Sequence, residues 1–169
     1  TGRITSPPEP RRETPYHPAH PTVVAGLVNI TGGDNRFYNN VFVGDGTAPA
    51  RPGKPGAKPP RVAVGYGLWV YDTREFPLST GGNVYYHGAQ PYAKESGAVQ
   101  AAADPQVKIA AQGRRVTLQI APGDALGKAD TRLVTTALLG KARIPGLAYE
   151  NPDGSPLAVD TDYFGHARN

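Results

Sequence analysis

The sequence predicts an all-β chain, with short strands stacked as coils of a parallel β-helix and an appended antiparallel β-hairpin. Three observations predict it. The composition has 21 Gly, 18 Pro and 9 Tyr in 169 residues, with 38% hydrophobic residues. Gly and Pro stand above average usage, which suits a turn-rich chain, and disordered chains seldom carry so many aromatic and β-branched residues. Residues 106–123, QVKIAAQGRRVTLQIAPG, place Val107 and Ile109, then Val116, Leu118 and Ile120, at every second position around a Gln-Gly-Arg turn. That alternation is an antiparallel pair with one wet face. Finally, NNVFVG (39–44) and GNVYYHG (82–88) echo each other as Asn, Val, aromatic, then Gly. Short strands led by Asn suit coils that bury their inward faces only by stacking on neighbours.

Each element follows in order. Residues 1–21 hold six prolines and read as extended coil, since Pro fixes φ and removes a donor. VVAGLVNI (23–30) is a strand, and GGDN (32–35) is turn chemistry. RFYNNVFVG (36–44) is a strand with Asn39 and Asn40 near its middle. Asn tolerates the left-handed region and bonds its own backbone, and stacked Asn side chains can form a ladder. The amide pair therefore reads as a corner between coil strands rather than as a ligand. DGTAPARPGKPGAKPPR (45–61) is a low-complexity loop. VAVGYGLWVYD (62–72) has strand character, TREFPLSTGG is a connector, and NVYYHG (83–88) is another strand. Residues 89–105 are alanine-rich and suggest one or two helical turns. Residues 130–146 read as a strand or a short helix, and ENPDGSPL (150–157) is a strong turn. Two regions result: terminal β-helix coils at 1–105, and a hairpin with a C-terminal extension at 106–169, packed on the same domain.

Composition also excludes chemistry. Without Cys there is no disulfide, thiol catalysis or thiolate-held metal, and the compartment is unreadable. No apolar run reaches bilayer-spanning length, so no membrane partner is indicated. The net charge is +4, concentrated in two Pro-rich stretches without interleaved aromatics. That pattern suits solvated loops better than a nucleic-acid platform. The chain has no Met and opens TGRITSPPEP, which reads as a mature product, an engineered chain or a fragment.

Candidate chemistry is sparse. ETPYHPAH (13–20) gathers Tyr16, His17 and His20. Pro15, Pro18 and Pro21 forbid the helix that would face both histidines one way, and nothing completes a metal set. These three residues are kept as candidate substrate-binding groups, with no metal site. Asp34, Asp45, Asp72 and Glu75 could supply two carboxylates for glycoside chemistry, which needs a pair roughly 5–9 Å apart. Each has a plainer place in a turn or connector. Trp69 could stack on a sugar, but in LWVY it reads as core. No phosphate loop, dinucleotide fingerprint or nucleophile elbow is present.

RETPYHPAH (12–20), VAGLVNITGGDNRFYNNVFVG (24–44), YGLWVYD (66–72), GNVYYHGAQPYAKE (82–95), LVTTALLGKARIPG (133–146) and ENPDGSPLAVDTDYFG (150–165) together resemble the C-terminal part of glycoside hydrolase family 120. Its characterised members are β-xylosidases. The resemblance covers nearly the whole chain apart from the Pro-rich loop. It implies C-terminal coils of a right-handed parallel β-helix and retaining hydrolysis by an Asp nucleophile and a Glu acid/base, without metal or other cofactor. In that family the nucleophile lies in a Trp-Leu-Asp-Trp block and the acid/base in a Val-Glu-Val-Asn-His block. Neither block occurs here. No catalytic residue is therefore assigned, and both carboxylates are expected upstream. The expected partner is a xylo-oligosaccharide or another glycan, not nucleic acid or membrane, and self-association into a homo-oligomer is allowed. The alternatives are another β-helix glycosidase or lyase, or a non-catalytic carbohydrate-binding or structural β-helix.

Overall fold

The computed structural model describes residues 3–7, 9–47 and 63–168. Most of the expected loop at 45–61, with its basic cluster, lies outside the described residues. The regular structure is almost all strand, in small sheets. The N-terminal stretch is not coil as expected. It forms β1 (Ile4–Ser6) and β2 (Glu9–Tyr16). β2 pairs antiparallel with β3 (Gly26–Ile30), setting Thr14 against Val28, Pro15 against Leu27 and Tyr16 against Gly26. Proline is tolerated because a two-stranded ribbon has an outward side on each strand where no donor is needed. The Tyr16 ring lies across Gly26, where a Cβ would come within 2.8 Å of it.

RFYNNVFVG is two strands rather than one, β4 (Arg36–Tyr38) and β5 (Val41–Val43), broken at the amide pair. Asn39 takes φ 58°, the left-handed conformation expected of a corner. β6 (Ala63–Gly65) pairs antiparallel with β1. The expected strand at 62–72 ends there, and Leu68–Tyr71 is a 3-10 turn instead. The cause is burial on consecutive positions: Leu68, Trp69 and Val70 are all buried. A half-wet strand would expose alternate residues. The Leu68 and Trp69 amides both aim at the Gln90 carbonyl, at 2.8 and 3.4 Å.

Then come β7 (Ser79–Gly81), β8 (Val84–Tyr86) and β9 (Val99–Ala101). β4 lies parallel to β7, with Phe37 beside Thr80. β5, β8 and β9 form a parallel three-stranded sheet in which Val41, Val84 and Val99 line up, as do Phe42, Tyr85 and Gln100. The sequence echo is thus a true stack, with Val on Val and aromatic on aromatic. The Phe42 and Tyr85 rings stack nearly parallel with centroids 5.0 Å apart, and Phe37 meets Phe42 edge-on. The alanine-rich stretch supplies strand β9 rather than helical turns. The open edge of β8 needs backbone partners, and the His87 amide donates to Ala101 at 3.0 Å. The core gathers beneath these strands from Leu68, Leu78, Tyr85, Ala89 and Tyr92.

β10 (Lys108–Gln112) and β11 (Arg115–Gln119) form the expected antiparallel hairpin, with Ile109 opposite Leu118 and Ala111 opposite Val116. All ten residues are exposed, so both faces are wet rather than one, and Gln112 pairs with Arg115 instead of lying in the turn. A 3-10 segment, Gly123–Lys128, follows. The ambiguous stretch at 130–146 contains one short helix, α1 (Thr136–Leu139), capped by the Thr135 hydroxyl accepting from the Leu138 amide at 3.2 Å. The turn at 150–157 closes through the Gly154 amide on Asn151 and the Asn151 amide on Ser155, both at 2.9 Å.

Candidate functional site

The turn between β2 and β3 carries the three residues singled out by sequence. Tyr16 is half-buried against Gly26, while His17 and His20 are exposed. His17 Nδ1 lies 3.0 Å from the Val23 carbonyl and closes the turn. His20 sits at φ 58°, and its Nε2 meets Glu150 Oε1 at 2.8 Å. The loop therefore docks on the 150–157 turn, which distance along the chain concealed. Here Asp153 is held below the usual carboxylate range, first by hydrogen bonds from Ser155 and also by the nearby His20.

The carboxylates considered for glycoside chemistry have scaffold duties. Asp34 Oδ1 pairs with Arg36 Nη1 at 2.6 Å, and its Oδ2 accepts the Arg143 amide at 2.8 Å. Asp45 accepts the Thr47 amide and hydroxyl at 3.0 and 2.5 Å. Those bonds hold its carboxyl below the ordinary value. A general acid needs the opposite shift. Asp72 accepts the Ala93 amide at 2.8 Å, and Glu75 is exposed. Trp69 is core, 6% exposed, and offers no face to a sugar. Among the described residues, no group of three or more His, Cys, Asp or Glu could hold a metal ion. No helix there is long and apolar enough to cross a membrane.

Sequence reasoning anticipated the Asn ladder but not the rest of the polar centre. Asn83 is fully buried and uses its whole amide. Its Oδ1 accepts the Asn40 amide and Asn40 Nδ2, at 2.9 and 3.1 Å. Its Nδ2 donates to the Phe37 carbonyl at 2.8 Å and to Glu95 Oε1 at 2.7 Å. Glu95 Oε2 in turn accepts the Tyr85 hydroxyl at 2.6 Å. Burial, then the adjacent Glu95, push the Tyr85 phenol above its ordinary value. The repeated Asn was the available signal for Asn40 and Asn83; nothing local marked Glu95. A second hub is Arg36. It donates to Leu139 and Lys141 carbonyls, at 3.1 and 2.5 Å, pairs with Asp34, and lies 4.8 Å from the Tyr149 ring centroid.

Two of the clefts that flank the stacked strands carry charged side chains. One, of about 430 Å³, is lined by Asp45, His87, Asp104 and Lys108 among others. The other, of about 280 Å³, lies between the β4–β7 pair and the segment leading into α1. Tyr38 and Leu138 supply its apolar wall, Gly81 and Gly97 its open floor, and Thr80, Ser96, Asp130 and Arg132 its polar rim. Asp130 Oδ2 and Arg132 Nη2 pair at 2.9 Å with both side chains mostly exposed. The Arg132 backbone is fixed separately, by Asn39: Asn39 Nδ2 donates to its carbonyl at 2.8 Å, and its amide donates to Asn39 Oδ1 at 3.2 Å.

No family model matches this sequence, and no curated protein matches it. Among solved structures, the chain is similar to "The complex structure of XylC with xylose", at 28% identity and a TM-score of 0.79. The match covers 96% of this chain and 27% of that one. The chain thus shares its all-β fold with roughly a quarter of a longer protein solved with xylose bound.

Proposed function

We propose that the chain is part of a retaining glycoside hydrolase of the family 120 type, releasing xylose from xylo-oligosaccharides. One observation carries the reading: 28% identity sustained over 96% of the chain to a protein solved with xylose. In this reading residues 1–105 are the last coils of a right-handed parallel β-helix. The in-register parallel pairs β4–β7 and β5–β8–β9 support it. Residues 106–169 are a hairpin and an extension on the same domain. The catalytic Asp and Glu lie outside these 169 residues, which agrees with the scaffold bonds on Asp34, Asp45 and Asp72. Tyr16, His17 and His20 are the groups of this chain closest in character to a sugar contact. His17 uses Nδ1 for the turn and keeps Nε2 for a ligand.

The test is hydrolysis of an aryl β-xyloside by the longer protein that carries this segment, with the anomer of the first-formed xylose read by NMR. Release of β-xylose, the retained anomer, is expected. α-Xylose would replace the double-displacement mechanism with inversion. No turnover, with binding intact, would favour the second reading, a carbohydrate-binding module. That reading draws on the same commitment of the chain's carboxylates to its scaffold.

A further inference from the structure

We propose that the cleft lined by Tyr38, Thr80, Ser96, Asp130, Arg132 and Leu138 is a binding subsite for one neutral pyranose unit of a glycan, through a pair of vicinal hydroxyls. The inference rests on the glycan reading above but concerns a site that does no chemistry.

The cleft has the parts a sugar needs. Its volume, about 280 Å³, lies at the small end of ligand pockets, so it suits a single ring rather than a long chain. A neutral sugar presents adjacent hydroxyls, each both donor and acceptor. It is best met by a donor and an acceptor side by side. Asp130 and Arg132 provide that pair, already 2.9 Å apart. Both remain reachable, with side chains 74% and 68% exposed. Two further hydroxyls stand on the rim: no bond within the described residues engages the Thr80 or Ser96 side chain. The C–H face of a pyranose is apolar, and Tyr38 and Leu138 give it an apolar wall.

The site is also held in shape. Asn39 clamps the Arg132 backbone with two hydrogen bonds, so the guanidinium is presented from a fixed point. The Tyr38 hydroxyl reaches the Leu138 carbonyl at 3.3 Å, tying the two sides of the wall together. Gly97 takes φ +71° and has nothing within 4 Å of where a Cβ would stand. Its bare backbone leaves the mouth open. The Asp130 charge balances Arg132, so the rim has no net charge to favour an anion. This selects a neutral sugar over a uronic acid or a phosphate.

The experiment is an amide NMR titration of the longer protein that carries this segment, labelled at glycine, with xylobiose, and separately with glucuronate and inorganic phosphate. Xylobiose is expected to shift the Gly81, Gly82 and Gly97 amides at millimolar concentration. Asp130→Ala and Arg132→Ala should each weaken that binding several-fold, by the loss of one charge-assisted hydrogen bond to a sugar hydroxyl at the open rim. Both side chains are exposed, so the variants should keep the wild-type spectrum elsewhere. Shifts confined to the His17–His20 turn would overturn the subsite and leave the glycan reading standing. Stronger shifts from glucuronate or phosphate than from xylobiose would overturn it in favour of an anion site. No shift with any probe would also overturn it, and xyloside turnover by the longer protein would then show whether the glycan reading falls too.

Discussion

Asn83 shows how one side chain can hold two strands in register. It has two acceptor positions and two donors, and four bonds fill them, from Phe37 on β4, Asn40 at the corner before β5, and Glu95. Asn83→Ala would leave the Asn40 amide and a Glu95 oxygen without partners beneath the stacked strands. Unfolding by urea should show a loss of about 3 kcal/mol. A loss below about 1 kcal/mol would mean that water replaces the amide. Tyr85 lies on the same network, and its behaviour is a matter of pH. Its phenol is raised above the ordinary value of 10.0 by burial and by Glu95. The unfolded chain therefore releases this proton at lower pH than the folded one. The stability from Tyr85 is complete below pH 10 and falls as pH rises beyond it. Absorbance at 295 nm should show Tyr85 ionising only together with unfolding, and Tyr85→Phe should flatten the loss of stability above pH 10. A 295 nm absorbance difference between wild type and Tyr85→Phe that appears near pH 10 while the chain is still folded would contradict the buried network.

Among the elements, the short helix α1 has the least intrinsic support. Four residues are far too few for a stable helix in isolation. It persists because Arg36, projecting from β4, grips the Leu139 and Lys141 carbonyls at its end. Arg36→Ala should cost about 3 kcal/mol, since several backbone acceptors and Asp34 lose a charged donor together. Hydrogen exchange should then rise first across 136–147, while β5, β8 and β9 stay protected. Arg36→Lys should rescue little, because an ammonium cannot reproduce the planar fork. A global, uniform rise in exchange would show that the segment is not a separate unit of stability. The β10–β11 hairpin lies at the other extreme. All ten of its residues are exposed, so its alternation specifies a strand but no packing.

At the scale of the molecule, the apolar surface is unevenly spread. The core gathers from β8, the 68–71 turn and the neighbouring Leu78, Ala89 and Tyr92, while Ile109, Val116 and Leu118 are 72%, 68% and 63% exposed on one face of the ribbon. A contiguous apolar face in water favours association. Sedimentation velocity should therefore show the 169-residue chain associating as its concentration rises, and Ile109→Lys with Leu118→Lys should return it to monomer. A wild-type chain that stays monomeric at high concentration would refute this. The strand content, the hairpin, the turn at 150–157 and the corner at Asn39 were all legible in the residues, because each depends on neighbours along the chain: alternation, turn chemistry and φ. The Asn40–Asn83 ladder was half legible, through a repeated motif whose meaning depends on stacking. Residues 68–71, the proline-bearing β2 and the alanine-rich β9 were not. Burial on consecutive positions overrode the strand pattern in the first, and pairing with the adjacent strand overrode local propensity in the other two. The grip of Arg36, the meeting of His20 with Glu150 and the cleft at Asp130 and Arg132 join residues far apart in the chain. No local pattern encodes such contacts. They exist because the C-terminal segment folds back over β4 and β7, where backbone acceptors and a cation find each other.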